Sequence, residues 1–327
     1  MLRGGRLRRL DPRVELLRDL HRGPADAAVG AGLSSRYAAD VKGTLRVAPG
    51  EGPLRAQHDR LLRTTLRRGD ADPEGALADA TLEGDYREAT LAYARAAWTE
   101  RMRREHHSAA VFSQLLPQLM DAGATLDAKT AVLRMSMEEL RHAALCAGVV
   151  ELLGGAPEVE ADLMPQPLPD HPKGTPVERA LRNVLFVGCL NETLAVAMLT
   201  EERELVKEPA IAAVLEQLVA DEVGHAKLGW IYLAEVWPTL DAAQRARTDA
   251  YLPYAFEYLE RSLMGPLAQL RFEEGLRDEL SQLGLPAPQD LRELFYAAME
   301  GAVLAPLDAQ GLAASEGWKR RSATRST

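Results

Sequence analysis

Cysteine is nearly absent: Cys146 and Cys189 are the only two in a chain of 327 residues. Two isolated thiols cannot build a disulfide framework or a Cys-x-x-Cys metal site. Long apolar runs are missing too. No stretch approaches the roughly 20 apolar residues that cross a bilayer. The Arg-rich N-terminus lacks the apolar stretch of a secretory signal. These absences lead to the expectation of a cytoplasmic protein with no membrane partner. Nothing in the chain reads as a β-strand.

The net charge is −9, unevenly spread. Residues 1–70 carry 15 Lys/Arg against 8 Asp/Glu, a balance of +7 that leaves −16 for the remainder. A basic arm can contact nucleic acid or an anionic surface. This one does not interleave its basic residues with aromatics, so the expectation is a solvated extension or an interface arm, with no nucleic-acid partner.

What the chain has is helix. Hydrophobic content of 46% and charged content of 27% fit a globular protein with a sizeable core. Three regions are expected. Residues 1–84 form an arm with short helices at Val14–Leu20 and Arg55–Arg68, and loops around Gly30–Gly32 and Pro49–Pro53. Residues 85–238 hold four long helices with one domain's worth of core. Residues 239–327 add helices at Asp241–Tyr251, Tyr254–Leu263, Leu267–Leu280 and Asp290–Val303, frayed from Glu316 onward.

The first long helix runs from near Asp85 to Met120. Its stripe of Trp98, Met102, Glu105, Ala109, Phe112 and Leu116 alternates steps of four and three, which marks one helix face. Pro117 is expected to kink it or end it early. After a turn with Thr125 as N-cap, the second helix carries Met135, Glu139, His142, Cys146 and Val149, and Gly154-Gly155 stops it. Residues 155–174, with four prolines between Met164 and Lys173, read as a long crossover loop. The third helix opens on Thr175-Pro176-Val177-Glu178, a capping box with Pro at the first helical position. Its stripe includes Leu185, Gly188, Glu192, Ala195 and Leu199. The fourth begins at Pro209, carries Leu218, Glu222, His225, Gly229 and Tyr232, and ends at Pro238.

Two Glu-x-x-His pairs, Glu139/His142 and Glu222/His225, thus lie on apolar stripes, and a lone glutamate, Glu105 or Glu192, precedes each. With 29 glutamates and 7 histidines, such pairs are near chance expectation. The spacing is what carries weight. In an antiparallel hairpin, residues equidistant from the turn sit side by side. The midpoint of Glu105 and Glu139 is residue 122, and that of Glu192 and Glu222 is residue 207; both fall in expected turns. At 1.5 Å per residue the ligand levels lie about 22–26 Å from those turns. All six side chains can therefore meet at one height. Four carboxylates and two imidazoles in apolar stripes are costly unless paired or bound to metal. Oxygen and imidazole donors suit iron or manganese rather than a structural zinc. A salt-bridged bundle with the six partly exposed is the alternative.

Flanking residues extend the set. Glu138, Asp221 and Arg141 are candidates for supporting the ligands. His106 and His107 point away from the face of Glu105 and read as supporting or packing residues. Tyr232 reads as core. The small residues Gly188, Ala195, Ala109 and Gly229 either leave room beside the site or allow close helix packing.

At these residues the chain resembles the ferritin-like di-iron carboxylate superfamily. The stretches are Glu105-His-His-Ser108, Glu138-Glu-Leu-Arg-His142, Cys189-Leu-Asn-Glu192-Thr193 and Asp221-Glu-Val-Gly-His225, and the resemblance covers roughly residues 90–237. It implies an all-α fold: a ferritin-like four-helix bundle with a crossover loop between its second and third helices, plus the N-terminal arm and additional C-terminal helices. It implies two Fe ions, or Mn/Fe, held by Glu105, Glu139, His142, Glu192, Glu222 and His225, with Glu139 and Glu222 bridging. The activity implied is that of a non-haem di-iron oxidase or oxygenase, acting with O2 on a small organic or carrier-tethered substrate. Electrons would come from an external reductase, and a homodimer is a common assembly. The alternative is a metal-handling protein: a ferroxidase, peroxide scavenger or iron-binding protein without an organic substrate. Departures from known subfamilies are Leu218, where an extra ligand His stands in arylamine oxygenases; Cys146, where a radical Tyr stands in ribonucleotide reductases; and Gly224, where hydrocarbon monooxygenases have Arg.

Overall fold

The computed structural model describes residues 42–48, 51–52, 54–62, 66, 72–270 and 272–322. Among them the chain is all-α apart from one two-stranded ribbon. The expected helix at Val14–Leu20 and loop around Gly30–Gly32 lie outside the described residues, as do Pro49 and Pro53. In the N-terminal region α1 (Arg55–Leu61) takes the first half of the expected Arg55–Arg68 helix, and α2 (Pro73–Ala78) follows.

The core comes from four long helical stretches. They are α3 (Glu88–Asp121), α4 (Leu126–Leu152), a third stretch made of α5 (Pro176–Val184), a π-helical segment (Leu185–Asn191) and α6 (Glu192–Leu205), and α7 (Pro209–Val236). Pro117 does not end α3 early; the helix continues to Asp121. Proline removes one N–H bond and crowds the carbonyl four residues back. With a single turn left after Pro117, that cost stays in the helix end.

The first hairpin is closed by local chemistry. Gly123 takes φ +64° after α3, with Gly123 N–H donating to Met120 O and Ala124 N–H to Leu119 O. Only glycine adopts that left-handed position without strain, and the paired bonds satisfy the last carbonyls of the helix. Thr125 then caps α4, its side chain accepting from Ala128 N–H. The capping box of Thr175 and Glu178 is formed in both directions. The turn at Gly123 and the cap at Thr125 set the level at which Glu105 meets Glu139, whereas the turn before Pro209 is held from a distance, Lys207 N–H and Glu208 N–H both donating to Gln282 O.

One expectation fails outright. β1 (Lys42–Arg46) pairs antiparallel with β2 (Glu158–Asp162), setting Leu45 opposite Val159. The second strand lies inside the stretch read as a structureless crossover. Its sequence, Glu-Val-Glu-Ala-Asp, has one β-branched residue; pairing with a distant segment, not local propensity, makes it a strand. The rest of the crossover is pinned lengthwise. Leu168 N–H donates to Gln114 Oε1 at 2.8 Å, and Asn183 Nδ2 donates to Gln118 Oε1 and Pro169 O at 2.8 and 2.9 Å.

The continuous helix Pro176–Leu205 is, contrary to the expectation from sequence, long and apolar enough by length and composition to cross a membrane; 56% of its most apolar window is buried inside the protein. That burial accounts for the apolar positions that face α7. Gly188 and Gly229 resolve the choice between open room and close packing. A Cβ on Gly229 would lie 2.5 Å from the Gly188 carbonyl carbon and 2.7 Å from Cys189 N. The two backbones touch there, so the glycines exist for contact.

Toward the C-terminus α8 (Ala242–Asp249), α9 (Leu252–Met264), α10 (Glu274–Gln282), α11 (Pro288–Ala298), α12 (Ala305–Ala309) and α13 (Ala314–Arg320) follow. The expected Leu267–Leu280 helix is instead a short 3-10 turn, Pro266–Gln269, followed by α10. The end expected to fray is helical to Arg320. Trp318 packs edge-on to Phe256, and Arg321 makes hydrogen bonds of 2.8 and 3.1 Å to the buried carboxylate of Glu260.

Replacing Gly229 by Ala inserts a methyl against backbone that has no rotamer to yield. Overpacking of this kind costs about 1–3 kcal/mol, so urea denaturation of Gly229→Ala should show a midpoint clearly below wild type. An unchanged midpoint would mean that the two helices do not touch.

Candidate metal centre

Glu105 comes from α3, Glu139 and His142 from α4, Glu192 from the start of α6, and Glu222 and His225 from α7. The fold brings all six together in two overlapping groups. One is Glu105, Glu139, His142 and Glu222; the other is Glu139, Glu192, Glu222 and His225, and within each group the donor atoms lie within 4.8 Å of one another. Glu139 and Glu222 belong to both. His225 Nδ1 lies 3.1 Å from Glu139 and 3.0 Å from Glu222, while His142 Nδ1 lies 3.5 Å from Glu222 and 3.8 Å from both Glu105 and Glu139. Glu192 is 4.0 Å from His225 Nδ1. The arrangement has two lobes, each with its own histidine and its own lone glutamate.

A π-helical turn, Leu185–Asn191, immediately precedes Glu192. A π turn inserts an extra residue into the helical register, and such insertions gather at functional sites. No sequence periodicity announced it.

Glu138 and Asp221 do support the histidines, but crosswise. His142 Nε2 is 3.1 Å from Asp221, the residue before the other motif, and His225 Nε2 is 3.1 Å from Glu138. Asp221 also accepts from Gln217 Nε2 at 2.8 Å, and Glu138 from Arg134 Nε at 2.7 Å. With each Nε2 paired outward to a carboxylate, each imidazole turns its Nδ1 toward the centre. That orientation suits metal ligation once Nδ1 has given up its proton. Arg141 does something else. It binds Glu74 at 2.7 and 3.0 Å and Leu66 O at 3.2 Å, clamping the N-terminal region onto α4. His107 is a packing residue: its Nε2 lies 2.8 Å from Asp162 O at the end of β2, and its Nδ1 lies 3.0 Å from Arg103. Neither it nor His106 joins the metal-type groups among the described residues.

The electrostatics show a charge deficit. Burial, with the charges of Glu139 and Glu222 behind it, pushes Glu105 up to about 7. Burial and the neighbouring Glu222 hold Glu192 well above the ordinary carboxylate range. Burial alone would depress His142 and His225, yet the surrounding carboxylates reverse this and hold both well above the ordinary histidine value. Burial opposes ionisation of Glu222 too, but a hydrogen bond from Glu192 and the charge of His225 hold it well below the ordinary range. Protons are thus retained where a cation would serve. The Glu139 Oε2 and His142 Nδ1 atoms are buried without a hydrogen-bond partner. Unpartnered buried donors and acceptors call for an ion or water. The residues present fit metal ions in both lobes.

Beside the centre runs a narrow apolar cavity lined by Phe112, Leu115, Val132, Met135, Gly188 and Gly229. The Phe112 ring packs edge-on to His225 at 5.5 Å. Tyr232 also lines this cavity, and burial pushes its hydroxyl up to about 12, as expected of a core residue. Cys146, one turn beyond His142, is fully buried. Sequence reasoning missed two charged residues here, Arg101 and Glu202. Their buried ion pair, 2.7 Å long, links α3 to α6. Arg101 stands one turn before Glu105, a spacing that marks the same helix face.

No protein-family model, curated protein or solved structure matches this chain.

The retained protons set a pH dependence. Glu105 titrates near 7 when folded and near 4.5 in an unfolded chain. The folded state then holds a proton that the unfolded state has released, so this stabilisation is full below about pH 4.5 and fades as pH rises through 7. His142, His225 and Glu192 act in the same sense. The depressed Glu139 and Glu222 act oppositely, but only as pH falls below about 4.5. Metal-free protein should therefore melt at a lower temperature at about pH 7.5 than at about pH 5.5. A melting temperature that rises over this range would contradict the charge deficit.

Proposed function

We propose that the protein is a ferritin-like, non-haem di-iron oxidoreductase. On this reading Glu105, Glu139, His142, Glu192, Glu222 and His225 hold two iron ions, or a manganese and an iron, with Glu139 and Glu222 bridging. The observation that carries it is the pair of overlapping four-residue groups that share those two glutamates. Carboxylate oxygens with one imidazole per lobe suit iron or manganese. When bound, the metal pair would supply O2 activation. The chain's own contribution is to hold and orient. Asp221 and Glu138 fix the two imidazoles, Gln217 and Arg134 fix those carboxylates, and the Phe112 wall keeps bulk water off one side. The substrate on this reading is a small organic molecule, free or tethered to a carrier, and an external reductase supplies electrons. A cytoplasmic homodimer belongs to the same reading. Leu126, Leu133 and Leu140 repeat every seven residues along α4 and are 77%, 47% and 50% exposed.

A second reading is favoured by one observation. The apolar cavity beside the centre has about the room of a single water. It holds no organic molecule unless side chains move. A metal-handling protein, oxidising Fe(II) or scavenging peroxide, needs no more room than that.

Anaerobic Fe(II) titration followed by O2 separates the readings. The oxidoreductase should bind about two irons per chain and, on mixing with O2, show a transient visible absorption that decays without storing iron. Continued O2 uptake with added Fe(II) would instead mark a ferroxidase. Glu139→Ala or Glu222→Ala should abolish binding in one or both lobes, whereas His107→Ala should leave two irons bound. Wild-type affinity in both glutamate variants would refute the ligand set.

A further inference from the structure

The metal centre has two unlike approaches. One is apolar: the cavity lined by Phe112 and its neighbours. The other lies between α3 and α6. On that side the two lone glutamates keep some exposure, 16% for the Glu105 side chain and 10% for Glu192, while the other four ligand-type side chains are at 4% or less. The helix α3 packs more closely on α5 than on α6. What spans the gap is the Arg101–Glu202 pair, and it is incompletely satisfied. Arg101 Nη2 donates to Glu202 Oε1 at 2.7 Å, but Arg101 Nη1 and Glu202 Oε2 are buried with no hydrogen-bond partner. The Glu202 side chain is 6% exposed and the Arg101 side chain 13%.

A buried ion pair is expensive, and leaving one donor and one acceptor of the same pair unused adds to the cost. An apolar pair of equal volume would pack the same gap more cheaply. Geometry supplies the resolution. A free N–H and a free carboxylate oxygen on two groups already in contact form a donor–acceptor notch of the kind that a single water can bridge. The remaining neighbours keep the guanidinium in place. Trp98 lies 4.7 Å beneath Arg101, and Trp98 Nε1 is anchored on Leu283 O at 3.3 Å. Glu105 is one turn along the same face of α3.

We propose that Arg101 and Glu202 hold an ordered water between Arg101 Nη1 and Glu202 Oε2, and that this hydrated notch is the route by which solvent reaches the Glu105 side of the metal centre. Water exchanges in from the α3–α6 surface, passes the notch and arrives beside Glu105, while the Phe112 side stays dry. The inference rests on the metal-site reading for its destination and on the two unpartnered atoms for the notch.

Two measurements test it. A crystal structure at better than about 1.8 Å resolution should show a water within hydrogen-bond distance of both atoms. In Mn(II)-loaded protein, the relaxation rate of bulk water protons per bound ion reports water exchange at the centre. The paired variant Arg101→Met/Glu202→Leu removes both charges together. It should at least halve that rate while Mn(II) affinity stays within about threefold and the thermal melt stays cooperative. Glu202→Gln, whose one amide oxygen keeps the bond from Arg101 Nη2 while its NH2 group donates to the water, should retain most of the wild-type rate. A wild-type rate in the paired variant, or a dry notch in the crystal, would overturn the proposal. If the wild-type protein binds no Mn(II) or Fe(II), the metal reading fails, and the crystallographic water then decides the notch by itself.

Discussion

Burying four carboxylates and two imidazoles at one level is the constraint on which this structure depends. Like charges in a low-dielectric interior repel strongly, and desolvation penalises each ion. The protein meets the problem by dividing the six groups into two lobes that share Glu139 and Glu222. Everything that positions those lobes serves the same end. The turn at Gly123 and the cap at Thr125 level one hairpin, and the break before Pro209 levels the other. The contact of Gly188 with Gly229 draws the third helix and α7 together next to the centre. The crossed pairs, His142 with Asp221 and His225 with Glu138, tie α4 to α7 through the outer nitrogens. Neither histidine can turn without breaking a buried, charge-assisted bond.

The surroundings of the centre are unequal, and the inequality has chemical meaning. Toward Phe112 the lining is apolar and narrow, which excludes bulk water and strengthens electrostatic interactions within. Toward Arg101 and Glu202 it is charged and incompletely satisfied. The two walls thus give the centre unlike environments, one apolar and one charged. The partial exposure of Glu105 and Glu192, against the full burial of the shared glutamates, follows the same division.

Much of the site was legible in the sequence because helical hairpins convert spacing into height. Residue 122, the midpoint of Glu105 and Glu139, is the C-cap of α3, and residue 207 falls between α6 and α7. The capping box at Thr175 was readable for the same reason: it is made by neighbours three residues apart. What escaped was made by distant partners. β2 forms because β1 reaches it from more than a hundred residues away. The crossed support of the histidines cannot be read from either motif alone, since each carboxylate serves the other motif. Arg141 looked like a neighbour of the metal because it sits inside Glu-x-x-His, yet its helix angle sends it outward to Glu74. Arg101 and Glu202 escaped because an ion pair across helices has no local signature.

The central claim is that the six residues hold two metal ions in two lobes sharing Glu139 and Glu222. The most direct test is an anomalous difference map from crystals of protein loaded with Fe(II) or Mn(II). The account predicts two peaks, one bounded by Glu105, Glu139, His142 and Glu222 and the other by Glu139, Glu192, Glu222 and His225. A map with no peak among these residues, or a single peak served by one lobe alone, would contradict it.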